Sequence, residues 1–239
     1  MTQRDASFGA NLRASPDAAV HKARDAWFRS SDWDARARAE FARRIARARP
    51  DNRVQYRRIK ALALHGSGDR ERAAAGYEMM AAIAGDPEAP RFEKVGALSA
   101  LGAYDQDRGH LDDAERSLRS ALKAMDNNPS GSTGLEGVCL AEVLLARGGR
   151  GRLEEARGLL ESSADDPPVL LDDRFRMCVS AVRVSLALGG HAQAAAWANT
   201  ALSLANASHS GLANHPTLGL VQVDAKTREW LASVAGRPR

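Results

Sequence analysis

The sequence predicts an all-α protein, a solenoid of stacked antiparallel helix pairs closed by a C-terminal helix. Three observations carry this. First, apolar residues recur at intervals of three and four along most of the chain, the spacing of one helix face, and no segment alternates as a strand does. The clearest case runs from 97 to 122. Leu98, Leu101, Gly102 and Tyr104 mark one helix, Arg108-Gly109-His110 a turn, and Leu111, Ala114, Leu118, Ala121 and Leu122 a second helix. Second, that hairpin returns at a steady period. Ala73, Ala114, Ala156 and Ala194 stand 41, 42 and 38 residues apart, each five residues after a glycine: Gly68, Gly109, Gly151 and Gly189. Third, aromatics are only 5% of the 239 residues, so the core must be built from Ala, Leu and Val. Short side chains such as Gly102 and Ala114 let helix backbones approach closely.

Taken in order, residues 1–15 are polar and are expected to fray. Ser15-Pro16 resembles a helix start, with serine as cap and proline at the first helical position, and the helix is expected to reach Phe28. Ser30-Ser31-Asp32 interrupts and caps the next helix, about 33–49, whose stripe is Trp33, Ala37, Phe41, Ile45 and Ala48. Pro50-Asp51 is expected to end it. Helices follow at 52–65, with Val54, Ile59, Leu62 and Leu64 as core, and at Arg70–Ala84, with Ala73, Tyr77, Met80 and Ala81 facing in. The motif at 91–126 comes next, then a loop from Asn127 to Ser132. Leu135–Arg147, Leu153–Ala164, Leu171–Leu188 and Ala192–Ala207 repeat the plan, with Gly148–Gly151 and Gly189-Gly190-His191 as turns. A last helix is expected from His215-Pro216 to Ala235, burying Leu218, Val221, Ala225, Leu231 and Val234. The units are therefore about 16–50, 51–88, 89–130, 131–168 and 169–210, with a cap at 215–235, all in one domain spanning 16–239.

Several function classes find no support. No stretch approaches the roughly 18 apolar residues of a membrane span, and the N-terminal sequence lacks a signal-peptide core. Cytoplasmic placement is the expectation, and the Ala/Arg/Gly-heavy usage suggests a GC-rich bacterial source. Cys139 and Cys178 fall in apolar helical patterns and are expected as small buried thiols. None of His21, His65, His110, His191, His209 and His215 has a recognisable metal-ligand spacing, so neither metal nor cofactor is expected. Gly148–Gly151 lacks the Gly-Lys-Ser/Thr ending that reaches phosphate and magnesium. The acidic pairs Asp112-Asp113 and Glu154-Glu155 suit positive helix N-termini. No catalytic set stands out, and the expectation is a protein that is not an enzyme.

At the repeated positions the chain resembles a tetratricopeptide repeat protein. The resemblance rests on Leu101-Gly102, Gly109, Leu111, Ala114, Ala121-Leu122 and Pro129. It recurs at Gly151, Leu153, Ala156, Leu160, Ala164 and Pro168, at Gly189, Ala194 and Ala201-Leu202, and more weakly at Gly68, Ala73, Tyr77 and Pro87. The period of 38–42 exceeds the standard of about 34, as in kinesin-light-chain-like versions. Stacking agrees with the physics, since one helix pair cannot bury its apolar side alone.

The resemblance implies a protein- or peptide-binding scaffold whose concave groove is lined by the first helix of each pair. Carried over by position, the groove residues are Lys22, Arg29, Gln55, Arg58, His65, Ser99, Ala103, Gln106, Glu142, Arg176 and Arg183. Several cations among them would favour an acidic segment or a free carboxylate. The family's carboxylate-clamp pattern, with its asparagine, is not visible. Two alternatives stand beside this. The net charge of +4 hides nine arginines between 36 and 58, a surface that a nucleic-acid-associated regulator would use. Interleaved Asp34, Glu40 and Asp51 and the scarcity of stacking rings weigh against it. The other alternative is a self-assembling structural subunit, a homo-oligomer that buries an end face.

Overall fold

The computed structural model describes residues 26–125 and 134–236. After a helical turn at 26–29, ten helices follow among these residues, and no strand occurs. They are α1 (Ala35–Arg47), α2 (Pro50–His65), α3 (Arg70–Gly85), α4 (Arg91–Asp107), α5 (Leu111–Met125), α6 (Glu136–Arg147), α7 (Arg150–Asp165), α8 (Leu171–Ala187), α9 (His191–Ala205) and α10 (Ala225–Ala235). The expected fraying of 1–15, the start at Pro16 and the loop at 127–132 lie outside the described residues. The chain forms two compact units, Met1–Gly76 and Tyr77–Arg239, divided within α3.

In the first unit Asp34 caps α1, its carboxylate accepting the Ala37 N–H at 2.7 Å; the sequence had pointed to Ser30–Asp32. Pro50 does not end α1 but opens α2, where a missing N–H costs nothing. Phe41 and Ile45 are buried as expected, and Trp33, Ala37 and Ala48 are half-buried. Trp27, Phe28, Phe41 and Tyr56 form a ring cluster with centroids 4.5–5.6 Å apart. Lys60 is buried beside it. Its ammonium donates to the Ser30 carbonyl at 2.7 Å and the Asp32 carbonyl at 2.9 Å, and lies 5.5 Å from the Trp33 ring. Burial pulls its pKa below the ordinary lysine value, which the nearby Asp32 charge partly opposes. Leu64 is buried as expected, but Leu62 is 43% exposed, and Ala61 is buried in its stead. α2 and α3 come close at Gly76, where a Cβ would lie 2.6 Å from the Ala61 carbonyl oxygen. Ala73, one turn earlier, is only half-buried, so the period's first marker is displaced to a glycine.

In the second unit each helix packs on the next, from α4 to α10, and the first helices α4, α6 and α8 also touch side by side. This is a solenoid-like stack of hairpins. Met80 and Ile83 of α3 are buried, but Ala81 is exposed. Ala114, Ala156 and Ala194 are fully buried in one continuous core with Leu118, Leu144 and Leu160. Each such leucine contributes about 1.5–3 kcal/mol by leaving water. Gly102 meets Leu118 across α4 and α5; a Cβ there would lie 2.5 Å from Leu118 Cγ.

Gly109 and Gly189 turn at φ +78° and +79°, the left-handed region that glycine enters freely. Gly151 does not. It lies inside α7, and the turn is made by Gly148 and Gly149 at φ +67° and +89°. The extra residues of this repeat are therefore absorbed as added helix. Ala114 and Ala194 are the fourth residues of their helices, Ala156 the seventh of its own.

The capping helix is shorter than expected. It begins at Ala225, with Asp224 accepting the Thr227 N–H at 2.8 Å, and not at Pro216. Residues 206–224 are a loop that docks on the start of α8, the Asp172 N–H donating to the Gly219 carbonyl at 2.9 Å. Leu218 is 38% exposed and Ala225 is exposed, whereas Leu231 and Val234 join the core as expected.

Candidate partner-binding surface

In α4, α6 and α8 the apolar residues face the core, and polar residues line the adjoining face. Glu142 on α6 is its centre. Its carboxylate accepts from Gln106 Nε2 of α4 at 3.2 Å. From α8 it accepts Arg176 Nε at 3.0 Å, the second Arg176 terminal nitrogen at 2.6 Å, and Ser180 Oγ at 2.8 Å. Arg176 and Ser180 are one turn apart, so a single α8 face supplies three donors. Ser99 Oγ of α4 likewise donates to Glu136 of α6 at 2.8 Å. These partners lie 34–38 residues apart in sequence, about one repeat. The bonds therefore run from each hairpin to the next and fix the register of the first helices.

Burial opposes ionisation of Glu142, but Arg176, Ser180 and Gln106 outweigh it and hold the carboxyl below its ordinary range. The same bonds raise Arg176 further above its already high value. A carboxylate with four donors and a depressed pKa is a fixed acceptor and a poor general base. Burial pushes the Cys139 and Cys178 thiols up to about 11, which keeps them protonated and unreactive. Asp105 is buried and its pKa is raised by burial; Tyr77 Oη donates to it at 3.3 Å, and His110 Nδ1 lies 3.8 Å away. Among the described residues no group of three potential ligands is placed to hold a metal ion.

The structure brings four of the sequence-predicted residues into this ladder: Ser99, Gln106, Glu142 and Arg176. Ala103 is half-buried on the same helix as Ser99 and Gln106. Arg183 is exposed, two turns beyond Arg176 on α8, with its guanidinium 5.7 Å from the Trp230 ring centroid. It has no carboxylate partner among the described residues. Arg29, Gln55, Arg58 and His65 belong to the first unit. Arg29 and Gln55 are exposed there, and Arg58 and His65 half-buried. Lys22 lies outside the described residues.

Sequence reasoning missed Ser180, Glu136 and Lys60. Ser180 and Glu136 were findable as polar residues about one repeat from Glu142 and Ser99. Lys60 was visible as the last cation of Arg57-Arg58-Ile59-Lys60, directly before the apolar run Ala61–Leu64.

No helix among the described residues is long and apolar enough to cross a membrane. No family model, curated protein or solved structure matches this chain.

Proposed function

We propose that this protein is a cytoplasmic, non-catalytic scaffold that binds peptide segments in the manner of a tetratricopeptide repeat protein. The binding face is the ladder on α4, α6 and α8. The observation that carries this reading is the placement of Gln106, Glu142, Arg176 and Ser180. They sit on three neighbouring first helices, Gln106, Glu142 and Arg176 half-buried and Ser180 buried beneath them, and are cross-linked into one polar face. Rigid side chains lose little entropy when a partner docks. Arg176 is answered internally by Glu142, so Arg183 is the cation left for a partner's carboxylate. It is exposed and lies over the Trp230 ring, a contact that favours the cation without using its hydrogen-bond donors.

Peptide arrays graded by net charge test this. The full chain is expected to retain decapeptides carrying a carboxylate, and Arg183→Glu to reduce that binding about tenfold. Binding that ignores peptide charge, or that survives Arg183→Glu, contradicts the reading.

A further inference from the structure

The basic run of the first unit carries a second inference, independent of the peptide face. Charge is unevenly divided along the chain. Residues 1–76 hold 17 Lys and Arg against 9 Asp and Glu, whereas residues 77–239 hold 17 against 21. Much of that excess lies on α1. Arg36, Arg43 and Arg47 are spaced by seven and four, so they share one face, opposite the buried Phe41 and Ile45. All three are exposed, as are Arg38, on another side of the helix, and Arg49, just beyond its end. Glu40 bonds both Arg43 and Arg44, so one carboxylate answers two guanidiniums there.

The surroundings select among polyanions. Ala39, Ala42 and Ala46 are the exposed apolar residues between these arginines, and alanine offers no anchor of the kind protein interfaces use. The rings that could stack on unpaired bases, Trp27, Phe28 and Tyr56, are packed against each other. Trp33 packs on Phe41, so among the described residues of this unit the rings are engaged with one another and offer a single strand no open stacking platform. A duplex needs none, because its phosphates are contacted from outside. A helix about 10–12 Å across fits the B-form major groove, about 12 Å wide, but not the narrow major groove of A-form RNA. We propose that the exposed Arg36–Arg43–Arg47 face of α1 binds the phosphate backbone of duplex DNA without sequence preference.

Fluorescence anisotropy tests this with the full chain and a random-sequence 20-base-pair DNA duplex, from 50 to 200 mM salt. Affinity is expected to fall steeply with salt. The variant R36Q/R43Q/R47Q should bind about tenfold or more weakly, with its log–log salt slope reduced by about 3. R36K/R43K/R47K, which keeps the charges, should retain binding, and circular dichroism should show all three chains equally helical. Absence of salt-dependent binding by the wild-type chain overturns the proposal. So does an unchanged slope in the glutamine variant, or equal affinity for single-stranded DNA or duplex RNA.

Discussion

Glu142 takes four hydrogen bonds from three side chains on two other helices, so its charge is shared by three hairpins. Removing the principal donor leaves a half-buried carboxylate short of partners. Arg176→Ala is expected to destabilise the fold by about 2 kcal/mol at pH 7, a figure reduced because the Arg176 side chain is 41% exposed and screened by water. The pH dependence has a definite sign. A carboxyl whose folded pKa is depressed contributes stability above the ordinary glutamate value and loses it as pH falls through the folded value. The gap between wild type and Arg176→Ala should therefore narrow between pH 7 and pH 3, as urea denaturation at each pH will show. A gap that stays constant would mean that the pair is held by packing and not by charge. This residue-scale site was partly legible. Seven-residue spacing put Arg176 and Arg183 on one face, but spacing cannot show that Arg176 is already neutralised from a neighbouring helix. That fact depends on which residue of α6 lies opposite, and only the packed register decides it.

At the scale of elements, closeness is set by glycine where the repeat needs it. Gly102 admits Leu118, and Gly76 admits the α2 backbone. Gly102→Ala should cost about 2 kcal/mol by overpacking, and Gly76→Ala at least as much, because a carbonyl cannot rotate away as a leucine can. Gly158, mid-helix in α7 with open space around it, should behave oppositely. Gly158→Ala is expected to stabilise by about 0.5–1 kcal/mol through helix propensity alone. Thermal melts of the three variants check the order. The helices themselves were legible from apolar spacing, with most ends placed within a few residues. Two failures share a cause. Leu218 and Val221 match helical spacing, yet 216–224 is a loop, because Gly219 turns left-handed at φ +69° and docks on Leu170. Gly151 matched the glycine–alanine interval, yet the turn lies earlier, where two adjacent glycines both adopt positive φ. In each case tertiary contact or turn chemistry overrode a periodic pattern.

Across the whole molecule, order comes from neighbours. In the second unit the core is one continuous apolar seam in which each hairpin covers the next, and α10 covers the last by burying Leu231 and Val234. The hydrogen-bonded ladder follows the same logic on the polar side. Its rungs join residues about one repeat apart, as do Arg119 of α5 and Glu155 of α7 at 2.6 Å on the second helices. The alanine period made this stack legible in the sequence, since the interval measures the repeat whatever the contacts are. The division within α3 was not legible, because helical periodicity runs through it unbroken. The proposed function requires that a partner use the first helices and leave the second helices untouched. Hydrogen exchange of the chain, with and without the acidic decapeptide that binds most tightly, tests that requirement most directly. Added protection in α4, α6 and α8, around Gln106, Glu142 and Arg183, is the predicted result. Protection confined to α5, α7 and α9, or to the first unit, would contradict it.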